Sequence, residues 1–71
     1  MAEPLTPAEL RRQREALRLS SDDLGRLMGV SGDYVVKVER GERPWTPAFE
    51  LRAERALAAV RAGGGELPVR T

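Results

Sequence analysis

The chain of 71 residues has no cysteine and no histidine. The first absence excludes disulfides and thiolate zinc sites, and the second removes imidazole as a ligand or proton carrier. Only metals with oxygen ligands remain, and no acidic loop of the calcium-binding type is present. No metal or other cofactor is therefore expected. Long apolar runs are also missing, and none approaches the roughly 20 residues that span a bilayer. The opening MAEPLTPAEL lacks a basic region followed by an apolar one, so it does not read as a signal peptide. A soluble, cytoplasmic protein is expected. There is no strong excess of one charge, because 12 basic residues meet 11 acidic ones for a net +1. Net charge thus argues neither for nor against nucleic acid, and the placement of charges has to decide.

A chain of this length makes one domain with a modest core. Without disulfides or a metal, its stability must come from helix packing or from a second copy of itself. Catalysis without histidine or cysteine would fall to carboxylates, serine, lysine or tyrosine. Asp22 and Asp23 are better explained as the acidic start of a helix, and no serine has a base placed by a known motif. The expectation is a protein that is not an enzyme.

Proline and glycine punctuate the rest. Thr6-Pro7-Ala8-Glu9 reads as a helix start. Thr6 can accept from the amide of Glu9, the Glu9 carboxylate can reach back to the amide of Thr6, and Pro7 sits where its missing donor costs nothing. The first helix is expected from about Pro7 to Leu17. Ser20 caps a second short helix, in which Leu24, Leu27 and Met28 form an apolar stripe and Gly29 ends it. Ser31 restarts the chain. Tyr34, Val35 and Val38 carry the next stripe, and Gly41 stops it, giving a third helix from about Gly32 to Arg40. Thr46-Pro47 repeats the opening device. Phe49, Ala53, Ala56, Leu57 and Val60 share one face of a fourth helix from Pro47 to Ala62, with Leu51, Ala58 and Ala62 off that face. The pattern predicts an all-α domain of four helices, or five, over residues 1–62. A glycine-rich tail follows over 63–71, in which Leu67 and Val69 alternate.

The middle of the chain carries the functional signal. Gly25 falls where a side chain would push the second and third helices apart, and Gly29 falls in the turn between them. Leu24, Met28, Val30, Val35 and Val38 supply a shared core. A small residue at 25, glycine at 29 and a β-branched residue at 35 have the spacing of a DNA-binding helix-turn-helix.

The stretch LRLSSDDLGRLMGVSGDYVVKVERGERP resembles the Cro/phage-repressor (XRE-like) helix-turn-helix family. Arg14, Leu19, Ser20, Leu24, Gly29, Val30, Ser31, Val35, Glu39, Gly41 and Pro44 fall on its pattern, over about Leu10 to Pro44. The resemblance implies that the third helix lies in the major groove with Gly32, Asp33, Val36 and Lys37 facing bases and Tyr34 beside them. Ser21, Ser31, Arg40 and Arg43 would meet phosphates, and Glu39 would pair with Arg14 as a strut between the first and third helices.

The chain departs from the family in two places. Ser21 stands where glutamine is common, and Gly32 and Asp33 stand where glutamine, arginine or serine is usual. Lys37 can donate to guanine O6 and N7, or be an ordinary solvated lysine. Asp33 can accept from cytosine N4, or serve only the helix N-terminus. Tyr34 can meet DNA or pack against the fourth helix. Trp45 can cap the junction of the third and fourth helices, or anchor a dimer.

The resemblance implies a sequence-specific transcriptional regulator, a dimeric repressor of a palindromic operator with double-stranded DNA as its partner. Trp45, Leu51, Ala58, Leu67 and Val69 are the candidate dimer surface. The size is similar to that of stand-alone regulators of phages and mobile elements that repress small operons, those accompanying anti-CRISPR genes among them. The alternative is an antitoxin of this fold, which binds a toxin protein as well as its own operator. A third class, a pure protein-interaction domain, would show no salt-dependent DNA binding.

Overall fold

Four hydroxyl side chains set where the helices begin. Thr6, Ser20, Ser31 and Thr46 each accept from the backbone amide three residues on, at 3.1, 3.0, 3.0 and 3.1 Å. In the computed structural model, which describes residues 5–63, they open α1 (Pro7–Ala16), α2 (Ser21–Met28), α3 (Gly32–Glu39) and α4 (Pro47–Ala62). Among the described residues there is no strand. The expected boundaries hold, except that Leu17 and Arg40 are caps rather than the last helical residues of α1 and α3.

The reciprocal capping expected at Thr6 is found instead at Ser20. There the Asp23 carboxylate accepts from the Ser20 amide at 3.1 Å while the Ser20 hydroxyl accepts from the Asp23 amide. The Glu9 carboxylate turns forward, accepting from Arg12 at 2.6 Å and Gln13 at 3.2 Å. A half-buried glutamate with two donors on the next turn has a stronger electrostatic partner there than a single amide.

The first three helices close in the same way, with an amide donating to the carbonyl five residues back. Leu19 donates to Arg14 at 3.0 Å, Val30 to Gly25 at 2.8 Å and Glu42 to Lys37 at 2.8 Å. This closure needs a left-handed residue before the donor. Gly29 at φ 79° and Gly41 at φ 82° supply it twice, and Arg18 at φ 60° supplies it without being glycine.

The core gathers Leu10, Leu19, Leu24, Met28, Val35, Val38, Phe49, Ala53, Ala56, Leu57 and Val60, together with Leu5 ahead of α1. Leu5 belongs to no helical stripe, so no periodicity marked it. Its packing supplies the reason it is buried. α2 and α3 pack most extensively on one another, α2 rests on α4 and α3 on α1, and α1 also meets α4. A Cβ on Gly25 would lie 2.6 Å from the Val30 carbonyl oxygen and 2.9 Å from the Ser31 carbonyl carbon. The turn that carries the chain into α3 is thus laid directly on the backbone of α2, and only glycine permits it.

Candidate nucleic-acid interface

α3 has two unlike faces. Val35 and Val38 are fully buried, whereas Asp33 and Arg40 are exposed, Lys37 is part-exposed and Val36 is half-buried. The spacing of valines at 35 and 38 turns one side inward, which leaves 33, 37 and 40 on the other. The candidate base-facing and phosphate-facing residues of α3 are thus brought onto one outward strip, with Gly32 and Tyr34 set apart from it.

Gly32 is buried, and a Cβ there would come 2.8 Å from the amide nitrogen and 2.9 Å from the Cα of Asp22. The packing of α3 on α2 therefore gives this glycine a structural reason of its own. It lets the first turn of α3 seat against the first turn of α2. Ser21, the first residue of α2, is half-buried, and the cap Ser31 is exposed. Tyr34 is half-buried, its ring 5.8 Å from that of Phe49 on α4. Trp45 meets the same phenylalanine edge-on, with centroids 5.3 Å apart. One buried ring thus holds both half-buried aromatics, and Trp45 packs over the start of α4. Beside it, an open recess of about 500 Å³ is lined by Val30, Ser31, Tyr34, Thr46, Phe49 and Arg52.

Most cations of the strip have acids beside them. Lys37 Nζ lies 3.1 Å from Asp33 Oδ2, one helical turn away. Arg40 Nη1 lies 3.9 Å from Glu42 Oε2. Arg43 is exposed after the Gly41 turn, its amide donating to the Lys37 carbonyl at 3.3 Å. The i, i+4 spacing of Asp33 and Lys37 was present in the sequence and is the signal that could have found their pairing. Nothing in the spacing announced Glu42 as a neighbour of Arg40, because the turn between them sets that approach.

Behind the strip, Arg14 of α1 makes a two-pronged contact with Glu39. Nε donates to Oε2 at 2.8 Å and Nη2 to Oε1 at 3.0 Å, while Nη1 donates to the Leu19 carbonyl at 3.0 Å. The Glu39 side chain is only 3% exposed. Its hydrogen bond raises the Arg14 guanidinium pKa above the ordinary value against the opposing effect of burial, so the arginine stays charged. One side chain thereby ties α1, the loop before α2 and the end of α3 together. The neighbouring residue of α1, Gln13, accepts from Arg61 of α4.

Of the candidate dimer residues, Leu51 is 47% exposed and Ala58 is exposed on the outer side of α4, whereas Leu67 and Val69 lie outside the described residues. Among the described residues no group of three or more acids could hold a metal, and no helix is long and apolar enough to cross a membrane. The sequence model of a family described as a helix-turn-helix domain matches residues 8–68. Searches of curated proteins and of solved structures gave no match.

Proposed function

The chain belongs to the helix-turn-helix domain family, and we propose that it regulates transcription by binding operator DNA with α3 in the major groove. The observation that carries this reading is the division of α3: Val35 and Val38 are locked into the core, and Asp33, Lys37 and Arg40 stand on the open side. In this arrangement Lys37 faces bases, while Arg40, Arg43, Ser21 and Ser31 position the protein on phosphates.

A single recognition helix spans too few base pairs to select one site in a genome. We propose that two copies read a palindrome with half-sites about 34 Å apart. The outer side of α4, with Leu51 and Ala58, is the surface assigned to that pairing. Occupancy of the operator represses the gene behind it by blocking polymerase, and the chain's own small operon is the proposed target.

Selection of bound sequences from random DNA tests this, followed by titration of the selected site at two salt concentrations. The expected result is a symmetric site, bound about 10³-fold or more tighter than unrelated DNA, with affinity falling as salt rises. Binding that ignores both sequence and salt would remove the DNA reading.

A further inference from the structure

We propose that Asp33 and Lys37 act as one unit that reads a single G·C base pair. The inference rests on the placement of α3 in the major groove and deepens it by naming the base pair and the two groups that recognise it. The carboxylate oxygen and the ammonium stand 3.1 Å apart on the open side of α3. They are one helical turn apart, so the pair is assembled before any DNA arrives. A carboxylate has about four lone-pair sites and an ammonium three donors, so their mutual contact leaves most of their capacity for a ligand.

The major-groove edge of a base pair presents an amino donor beside a carbonyl acceptor. These two atoms are joined across the pair by a hydrogen bond of about 2.9 Å. The acceptor of Asp33 and the donor of Lys37 repeat that spacing with opposite polarity. The flanking atoms decide between base pairs. In G·C, guanine N7 and O6 stand together and the cytosine amino group ends the row. Lys37 then faces two acceptors while Asp33 accepts from N4, with only a C–H group beyond. In A·T, the amino group lies between N7 and O4, and the thymine methyl follows. Asp33 would there press a carboxylate against the N7 lone pair, and the Lys37 ammonium would meet a methyl group.

The pairing also accounts for an acid on a face that meets polyanionic DNA. Alone, a carboxylate there weakens binding to every sequence. Coupled to Lys37, it leaves the pair neutral, so the pair adds discrimination rather than general attraction. Lys37 is the only lysine, and all other basic residues are arginine. An arginine at 37 would engage Asp33 through its planar fork and occupy both carboxylate oxygens, whereas a compact ammonium leaves one free.

The test takes the site selected by wild type and replaces its base pairs one at a time. Each site is titrated with wild type, Asp33→Ala, Asp33→Asn, Lys37→Ala and the Asp33→Ala/Lys37→Ala double variant, with a melting curve for each protein. At one position wild type is expected to prefer G·C by about 10- to 100-fold. Both alanine variants lose the preference at that same position, and the double variant loses no more than either. Asp33→Asn, whose amide both accepts and donates, admits A·T there. Asp33→Ala binds unrelated DNA as tightly as wild type or more tightly, which loss of a helix-stabilising acid alone would not produce. The proposal is overturned if the two alanine variants relax two different positions, or if Asp33→Ala leaves every preference intact. If wild type selects no sequence, the DNA reading falls with it. A selected site without a coupled G·C position removes the pairing alone.

Discussion

Arg14 and Glu39, 25 residues apart in the chain, meet through two hydrogen bonds of 2.8 and 3.0 Å, with the carboxylate almost fully enclosed. Both oxygens accept from the guanidinium, whose third arm holds the Leu19 carbonyl. The contact closes the angle between α1 and α3, and so the direction in which the open side of α3 points. Glu39→Gln is expected to cost about 3 kcal/mol, because it leaves a buried guanidinium without its counter-charge. Replacing both residues by apolar ones of similar size should recover most of that loss. Urea unfolding of the single and double variants measures it, and a Glu39→Gln midpoint equal to wild type would show that the pair is not structural.

Two glycines of the turn should fail for different reasons. Gly25→Ala places a methyl 2.6 Å from the Val30 carbonyl oxygen, so the helices must separate. Its expected cost is about 1–3 kcal/mol, the range for overpacking. Gly29→Ala has open space but a φ of 79°, and should cost about 1 kcal/mol of backbone strain. Thermal unfolding ranks them, and only Gly25→Ala is expected to weaken DNA binding beyond its loss of stability, because it re-aims α3.

Arg18 is exposed at φ 60°, where an L side chain is strained. Arg18→Gly should therefore raise stability, by up to about 1 kcal/mol after the added freedom of the unfolded chain is counted. The same change at exposed Arg26, inside α2, should lower it by about 1 kcal/mol. Opposite shifts in melting temperature are the expected result. A loss at both sites would mean that the Arg18 side chain itself contributes.

Arg43 and Glu42 probe the phosphate assignment from opposite directions. Arg43→Ala should weaken binding to all sequences alike and flatten the salt dependence by about one unit. Glu42→Gln removes the acid 3.9 Å from Arg40, and should tighten binding to unrelated DNA. Titrations across a salt series read both. An unchanged slope for Arg43→Ala would take that residue out of the phosphate class.

Leu51 and Trp45 separate the dimer surface from the lid. Leu51→Arg should leave the melting temperature of the folded chain nearly unchanged, since the side chain is largely exposed, and should abolish pairing in sedimentation. Trp45→Ala removes the ring packed on Phe49 and should cost about 1–2 kcal/mol while leaving the oligomeric state alone. A monomeric wild type, both free and on its site, would remove the dimer proposal.

The helices were legible because their signals are local. Thr6, Ser20, Ser31 and Thr46 each act within three residues, and Gly29 and Gly41 stop helices through their own φ angles. The candidate site was legible as a strip of α3, because helical spacing alone sends Val35 and Val38 inward and Lys37 outward. Leu5 was not legible, since it lies outside any periodic run. The strain at Arg18 was not legible either, because an arginine carries no mark of a left-handed turn.

What the sequence determined by itself is therefore the number, limits and facing of the helices, all set by interactions between near neighbours. Only the tertiary structure decided which distant groups meet: Gly32 on Asp22, Tyr34 and Trp45 on Phe49, and Gln13 with Arg61. The pairs of Glu9 with Arg12 and Gln13, and of Asp33 with Lys37, lie within one helix, where spacing already allowed them. A capping bond or an i, i+4 pair needs only a few residues of chain, whereas a contact between helices needs a neighbour in space, and packing chooses that neighbour.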